Sequence, residues 1–375
     1  MKTSKGFFML ENELIFGIKS ISLTAFLFFL LFIPLFALVG VYTERKISAF
    51  IQDRLGPMEV GKYGLLQTLA DILKLLQKED IVPISVDRKL FLFAPLVIYT
   101  AVFSGFAVIP LSVDLVGSTA QIGVFYLLTF VSLDIIGLLM AGWGSNNKFS
   151  LYGAIRSVAQ IVSYEIPLGL SVLCVAVFTQ TLNLQEISLQ QGVLNQSDEK
   201  SYLLGLPWIE VTHLGGVLTW NIIRFPALFF VFIIFFIASL AECNRAPFDL
   251  PEAESELVAG FQTEYSGLRW AFLMLAEYGM MLLVSLLASV LFLGSWNTPL
   301  PNLGDFKLAS YTTGTLWGIF WLFLKSIALI FVQMWVRWTY PRLRVDQLMT
   351  LCWKYLTPFN LILLLICAVW RLLLV

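Results

Sequence analysis

Eight stretches of mostly apolar residues recur along this chain, and each is about as long as a bilayer is thick. A helix of ~20 apolar residues crosses a hydrocarbon core of roughly 30 Å. The stretches lie at residues 20–43, 90–112, 121–143, 153–182, 221–241, 268–294, 313–338 and 357–374. Only 13% of the residues are charged, whereas 58% are hydrophobic, a balance that a soluble protein does not need. The sequence therefore predicts an all-α integral membrane protein with about eight transmembrane helices, forming a single polytopic domain over residues 1–375.

The distribution of basic residues predicts the orientation of these helices. About two thirds of the 24 Lys and Arg residues lie in the first, third, fifth and seventh connections. Connections rich in Lys and Arg stay on the cytoplasmic side of a membrane. The first stretch is followed by charged residues rather than by a small-residue cleavage site, so we expect a retained span. The sequence thus predicts a cell-membrane protein with cytoplasmic odd-numbered connections and both termini on the outer side.

The fifth connection, AECNRAPFDLPEAESELVAGFQTEY at residues 241–265, concentrates acidic side chains around a single base, Arg245. The acids are Glu242, Asp249, Glu252, Glu254, Glu256 and Glu264. Acids are costly beside a bilayer, and neighbouring like charges raise one another's pKa values. Raised pKa values suit groups that accept and release protons near neutral pH. The segment therefore favours proton or ion handling, with a solvated acidic loop as the alternative.

Four charged side chains lie deep inside the apolar stretches, away from their ends. Asp134 lies in the third stretch, Glu165 in the fourth, Glu277 in the sixth and Lys325 in the seventh. Ionisable groups within a membrane usually serve a function such as a proton relay. The alternative is an acid satisfied by a neighbouring hydroxyl or Arg. Lys325 is then either a counter-charge or a member of the relay.

Two further cytoplasmic segments combine apolar and charged residues. Residues 44–78 place leucines and isoleucines at helical spacing, interrupted at Gly56-Pro57, which predicts amphipathic helices in the membrane interface. They form either a surface anchor or one wall of a lateral opening for a lipid-like substrate. Residues 337–358 carry Arg337, Arg342 and Arg344, which form either a positively charged flank of a span or partners for the acids on the same face.

The metal-binding residue types are sparse. The four cysteines are scattered without a CxxC pair, and His213 is the single histidine. These residues do not form an iron–sulfur or zinc ligand set, so we expect no metal site. The sequence also lacks a basic patch of the kind that binds nucleic acid. Any redox centre that the chain serves is therefore expected on another subunit.

Four ordered segments together resemble one known family. They read ERK, QDRLGP, GLLQ and AD near residues 44–71; GWGSNNK and GAIRSVAQIVSYE at 142–165; the acidic segment at 241–265; and PRLRVDQLM at 341–349. This pattern is similar to the H subunit, the equivalent of mitochondrial subunit 1, of respiratory complex I, the proton-pumping NADH:quinone oxidoreductase. The resemblance covers about residues 37–358. Membrane subunits of energy-converting hydrogenases would retain part of the pattern, with much less of its first and last segments.

The resemblance implies a specific role. Such a subunit docks the peripheral arm, builds a quinone chamber with its partners and helps to couple quinone reduction to proton translocation. Quinone, as ubiquinone or menaquinone, would be the substrate, whereas FMN and iron–sulfur clusters would lie only on partner subunits. Partners would be the peripheral-arm quinone-site subunits, the adjacent small membrane subunits and membrane lipid.

The resemblance also assigns roles to individual residues. The quinone access path would be lined or gated by Arg45, Arg54, Asp71, Lys74 and Arg337. An acidic path toward the antiporter-like subunits would comprise Glu165, Glu242, Glu277, Asp249, Glu252, Glu254, Glu256 and Glu264. The counter-charges would be Arg156, Arg245, Arg342 and Arg344. Asp134 lies outside the family's core motifs.

Two functions of other classes compete with this interpretation. A self-contained proton or cation transporter would show inverted repeats with midplane sites in both halves, and no internal repeat is visible. A purely structural anchor for a soluble redox arm explains the charged connections but not Glu165 and Glu277 inside spans. The membrane is either a bacterial plasma membrane, which the longer loops favour, or the mitochondrial inner membrane.

Overall fold

The computed structural model describes residues 23–118, 120–192, 202–205, 214–250, 254–302, 308–312 and 314–374. Its regular elements are helices: α1 (Leu23–Ile51), α2 (Gln67–Gln77), α3 (Arg88–Gly105), α4 (Gly123–Gly144), α5 (Lys148–Thr179), α6 (Leu184–Gln190), α7 (Asn221–Arg224), α8 (Pro226–Glu242), α9 (Glu254–Leu257), α10 (Gly267–Phe292), α11 (Leu308–Tyr311), α12 (Thr315–Thr339), α13 (Val345–Thr350) and α14 (Thr357–Leu374). A π-helical turn, Leu351–Leu356, joins the last two helices into one continuous rod.

The predicted all-α membrane fold is confirmed. Seven helices of the described part are long and apolar enough to cross a membrane: α1, α3, α4, α5, α10, α12 and the α13–α14 rod. The remaining predicted span, the fifth along the chain at residues 221–241, corresponds to α8, which at 17 residues is shorter than the other spans. It begins at Pro226 rather than at residue 221, because Asn221–Arg224 forms the separate helix α7. Proline favours a helix start, since its missing N–H has no partner there in any helix.

The ends of these helices define two faces of the bundle. On one side, which we call the loop face, the N–H of Asp87 before α3 donates to the carbonyl of Gly144 at the end of α4, at 3.0 Å. On the other side, the distal face, Thr315 at the start of α12 donates its hydroxyl to Asp114, at 2.7 Å. The helices therefore alternate in direction, and the motif segments meet at the loop face.

Helix α10 is the centre of the bundle. Each of its residues from Tyr278 to Phe292 is buried, and the helix carries apolar side chains on all sides. A helix that is apolar all round is typical of a position surrounded by protein or lipid. The bundle therefore encloses the distal half of α10 completely.

Small residues bring neighbouring helices together, as is usual in membranes. A Cβ added to Gly137 of α4 would lie 2.4 Å from Cγ1 of Ile98 and 3.0 Å from its backbone nitrogen on α3. Gly169 of α5 offers the opposite case, because an added Cβ would meet no atom within 4 Å. The two glycines therefore form a matched pair for testing the helix packing.

We expect Gly137→Ala to destabilise the bundle by about 1–3 kcal/mol, since the new methyl group forces α3 and α4 apart. Gly169→Ala is the control and should leave stability unchanged or slightly raised, because alanine favours helix over glycine. The thermal unfolding midpoint of the purified protein in detergent measures both variants. Equal midpoints for the two variants would contradict the close α3–α4 contact.

Helix α5 runs through Pro167 and carries Glu165 two residues earlier. Proline lacks an N–H, so it leaves the carbonyl of Ser163 without its usual helical donor. The thiol of Cys352, in the π-helical turn, donates to that carbonyl at 3.0 Å. The hydroxyl of Tyr164 donates to the carbonyl of Leu348 at 3.0 Å. These two bonds fix the segment around Glu165 against the α13–α14 rod.

Candidate functional site

A cleft of about 480 Å³ opens between α1, α2, α10 and α12. Most of its walls are apolar side chains of these helices, among them Leu38, Val41, Leu75, Phe272 and Leu275. Five ionisable or phenolic side chains also line it: Glu44, Arg45, Asp71, Tyr278 and Arg337. The cleft thus combines apolar walls with a small charged region, which matches a ligand with a polar head and a long apolar body.

Helix α2 supplies one wall of the cleft. Asp71 and Leu75 contribute to the cleft lining, whereas Leu73 and Leu76, on another face, are about half exposed. The turn before α2 requires Gly64, because its φ is +74° and an added Cβ would lie 2.2 Å from the carbonyl oxygen of Pro57. This turn folds α2 back beside α1.

Glu44 is the centre of the charged region. It is buried in α1 and accepts hydrogen bonds from Nη1 of Arg245 at 3.1 Å, from Arg337, and from the Tyr278 hydroxyl at 2.5 Å. The Arg245 guanidinium also lies 4.7 Å from the centre of the Tyr278 ring. A buried carboxylate is stable only when it is paired and hydrogen-bonded, and this one has both kinds of partner. The sequence reasoning assigned Glu44 no role, although it begins the ERK motif.

The other predicted access residues divide into two groups. Arg45 forms an ion pair with Asp71 at 2.5 Å, and both line the cleft. Arg337 lines it as well and binds Glu44. Arg54 and Lys74 are exposed and outside the cleft lining; Arg54 donates to Gln52 at 2.7 Å.

A second cavity, of about 20 Å³, lies among α3, α4, α8 and α10. Its lining includes three carboxyl groups: Asp134 of α4, Glu242 at the end of α8 and Glu277 of α10. Both carboxyl oxygens of Glu242 are buried and make no hydrogen bond within the described residues, nor does Oδ1 of Asp134. A cavity of this volume holds about one water molecule when polar groups surround it. The site is therefore suited to a water that bridges neighbouring acids.

Two of the intramembrane acids have defined hydrogen-bond donors. Glu277 accepts from the amide of Gln262 at 2.8 Å, and Glu165 accepts from the hydroxyl of Ser132. Glu165 and Asp134 both lie close enough for their charges to act on Glu242. We refer to Asp134, Glu165, Glu242 and Glu277 as the carboxyl cluster. Asp134 therefore belongs with the three acids that the resemblance singled out.

The remaining acids of the 241–265 segment bind separate partners at the loop face. Asp249 pairs with Arg342 at 3.1 Å, and Glu256 pairs with Arg156 at 2.6 Å. Glu264 accepts from the amide of Asn147 at 2.7 Å. Glu252, and the side chain of Glu254, lie outside the described residues.

Of the four predicted counter-charges, three meet a carboxylate. Arg156 and Arg342 pair with acids of the 241–265 segment, whereas Arg245 pairs with Glu44 of α1. Arg344 is the residue that caps the start of α13, and its backbone N–H donates to the side-chain oxygen of Gln347 at 3.2 Å. A capping contact of this kind orders the first turn of a helix.

Two buried side chains adjoin the helices that carry the cluster: Cys243 follows α8, and Tyr265 precedes α10. Cys243 lines the small cavity, and burial raises the pKa of its thiol, which keeps the group protonated. Burial also raises the pKa of Tyr265, whose hydroxyl donates to the carbonyl of Phe91 at 3.2 Å while its ring stacks on the Phe91 ring. The carboxyl groups are thus the groups suited to exchange protons here. Among the described residues, no three His, Cys, Asp or Glu side chains are grouped to hold a metal ion.

Comparison with known proteins identifies close relatives. A family model described as NADH dehydrogenase matches residues 23–368. An H subunit of the NADH-quinone oxidoreductase of Cytophaga hutchinsonii, the one numbered 2, is 56% identical over 355 residues, which cover 92% of this chain and 97% of the relative. The H subunit of Chlorobium luteolum is 55% identical, covering 91% of this chain and 87% of the relative. The H subunit of Bacteroides thetaiotaomicron is 43% identical, covering 88% and 86%.

Proposed function

Because this chain belongs to the family of the NADH-quinone oxidoreductase H subunit, we propose that its cleft admits quinone to the site of reduction and that its carboxyl cluster couples this reduction to proton translocation. The chain is a multi-pass membrane protein and a subunit of an enzyme complex. The resemblance seen in the four sequence motifs is thereby confirmed.

The chemistry of the cleft supports quinone as its ligand. A quinone carries two carbonyl acceptors on a ring and a long apolar tail. The apolar walls fit the tail, and the guanidinium of Arg337 supplies further N–H donors beside the Glu44 carboxylate for the ring. Helix α2, an amphipathic helix at the loop face, is placed to rest in the membrane interface, where an apolar ligand would enter sideways.

The observation that carries the coupling proposal is the position of two adjacent residues on α10. Tyr278 lines the cleft, whereas Glu277 lines the cavity of the carboxyl cluster. A second connection runs through the segment after α8, where Glu242 lines the small cavity and Arg245 binds Glu44. A charge change at the cleft therefore reaches the cluster across one helix, where screening is weak. Coupled carboxyl groups then change protonation as a set.

The charge distribution supports an orientation with the loop face in the cytoplasm and both termini outside. The loop face also exposes large apolar side chains, such as Phe50 at 83% and Leu55 at 85%. Exposed apolar patches mark surfaces that another protein or lipid covers. We propose that the peripheral-arm subunits, which would carry the FMN and iron–sulfur clusters, dock here, and that the small membrane subunits adjoin the same single membrane domain.

A substitution that fills the cleft tests the quinone assignment. We expect Ala271→Trp, in the cleft lining, to raise the KM for a long-tailed quinone about tenfold, because the indole occupies the tail's space. NADH oxidation by an artificial acceptor of the peripheral arm should not change. Steady-state assays of the purified complex measure both activities.

Leu73→Trp is the matched control, because Leu73 is 52% exposed and lies outside the cleft lining. Its KM for quinone should equal that of the unmodified protein. An unchanged KM in the Ala271→Trp complex, at normal assembly, would show that quinone does not use this cleft.

A further inference from the structure

Lys325 is a buried cation in the membrane-spanning helix α12, and its hydrogen-bond partners are backbone carbonyls rather than acids. Its Nζ donates to the carbonyls of Leu293, Ser295 and Asn297, at 2.7, 2.9 and 2.6 Å. A neutral amine has two N–H groups, whereas an ammonium has three. The three carbonyl oxygens within hydrogen-bond distance match the three N–H groups of the charged form.

The surroundings of Lys325 also favour a positive charge. The three carbonyls follow the C-terminal end of α10, where the helix dipole is negative. The ring of Trp220 lies 4.2 Å from the Lys325 nitrogen, in the geometry of a cation–π contact. The fold is shaped for this arrangement, because Gly294 has a φ of +77° and an added Cβ would lie 2.4 Å from Trp220.

Buried amides close the same end of α10 around this charge. Gln191 donates to the carbonyl of Val290 at 2.8 Å and accepts from the N–H of Gly294 at 3.0 Å. Asn221 donates to the carbonyl of Leu291 at 2.8 Å. The last carbonyls of a helix have no intrahelical donor, so these side chains replace the water that would otherwise bind there. The distal end of α10 is thereby capped by buried side chains.

The carboxyl cluster and this cap lie at opposite ends of the buried part of α10. Glu277 precedes Leu293 by about 24 Å along a helix of 1.5 Å rise per residue. Every residue of α10 between them is buried, and the hydroxyls of Ser285 and Ser289 there bind within the bundle, to Met281 and Ser326. A proton leaving the cluster toward the distal face along α10 would meet an apolar stretch and then a fixed positive charge.

We propose that Lys325 is an electrostatic plug, a permanent positive charge that prevents protons in the carboxyl cluster from leaking through this chain to the distal face. A positively charged side chain excludes protons from membrane pores in the same way. This inference rests on the proposed role of the cluster in carrying protons. Lys325 then determines the direction of proton transfer. Protons pass sideways toward the neighbouring subunits, and Lys325 itself does not exchange them.

Passive proton permeability tests the plug without any turnover. The complete complex is reconstituted into liposomes that contain a pH-sensitive dye, and a potassium diffusion potential drives protons across. We expect Lys325→Gln and Lys325→Met to raise the proton flux several-fold, because both remove the charge. Lys325→Arg keeps the charge and should remain as tight as the unmodified complex.

Gln191→Leu is the control for loss of packing, since it removes a capping amide beside the charge and leaves the charge in place. It should lower thermal stability without raising the flux. A tight Lys325→Gln complex, or equal leaks in Lys325→Gln and Gln191→Leu, would overturn the proposal. The measurement uses no NADH or quinone. A negative result would therefore contradict the plug alone, because coupling through the carboxyl cluster is measured separately, during turnover.

Discussion

Replacing Glu44 by Gln is expected to lower quinone reduction by about 100-fold, the size of effect seen when one preorganised electrostatic group is removed from a water-excluded site. The amide removes the negative charge that Arg245 and Arg337 share, while it keeps the size of the side chain. Two guanidinium charges then face each other at the cleft and change the potential that the quinone ring meets. Steady-state assays that separate kcat from KM, on complexes shown to be assembled by native electrophoresis, measure the effect.

Tyr278→Phe is the matched control for this position. It removes one hydrogen bond to Glu44, at 2.5 Å, and preserves both the carboxylate and the aromatic ring below Arg245. We expect a smaller loss, of about tenfold, in line with about 1.5 kcal/mol for one bond to a charged group. A Glu44→Gln complex as active as Tyr278→Phe would contradict the central place of the carboxylate.

Glu165→Gln and Glu277→Gln should each leave the complex assembled and abolish most of the proton translocation that accompanies quinone reduction. Both replacements conserve shape, and the amide oxygen still accepts the hydrogen bond from Ser132 or Gln262. The glutamine amide differs from the carboxyl group in that it cannot take up and release a proton. We expect coupled turnover to fall by about tenfold or more, as for the removal of a positioned acid or base. Dye-monitored acidification of proteoliposomes during NADH oxidation measures it.

Glu186→Gln provides a control of the same chemistry in another place. Glu186 lies in α6 at the distal face, where it accepts a hydrogen bond from Thr181 at 2.5 Å. Its replacement should leave translocation unchanged. Unchanged pumping in both Glu165→Gln and Glu277→Gln would favour a chain that merely anchors the redox arm.

The positions of the spans were predictable from the sequence because burial in lipid imposes long apolar runs. The role of Glu44 was not, because the first predicted span ended at residue 43, whereas α1 continues to Ile51. Glu44 therefore lies within a helix that faces the bundle. Its partners Arg245 and Arg337 are 201 and 293 residues away in the chain, a proximity that no local pattern contains.

The acid-rich segment at residues 241–265 also shows what the sequence alone does not predict. Its composition suggested one continuous cluster, but the fold separates its described members. Glu242 ends α8 and points into the small cavity, whereas Asp249 and Glu256 pair with arginines at the loop face. The sequence indicates which residue types are present, and tertiary packing decides which of them meet. The carboxyl cluster consequently draws one acid from each of four helices.

The length of α5 has a mechanical consequence. At 32 residues it measures about 48 Å, well beyond a hydrocarbon core of roughly 30 Å. At its loop-face end, Gly153 packs against the backbone of Gly260, where an added Cβ would lie 2.6 Å from the Gly260 Cα. Glu165, about 18 Å further along, is carried by the same rod. A displacement of the Gly260 segment would therefore also move Glu165. The close contact between Gly153 and Gly260 leaves no space for the two backbones to shift relative to each other.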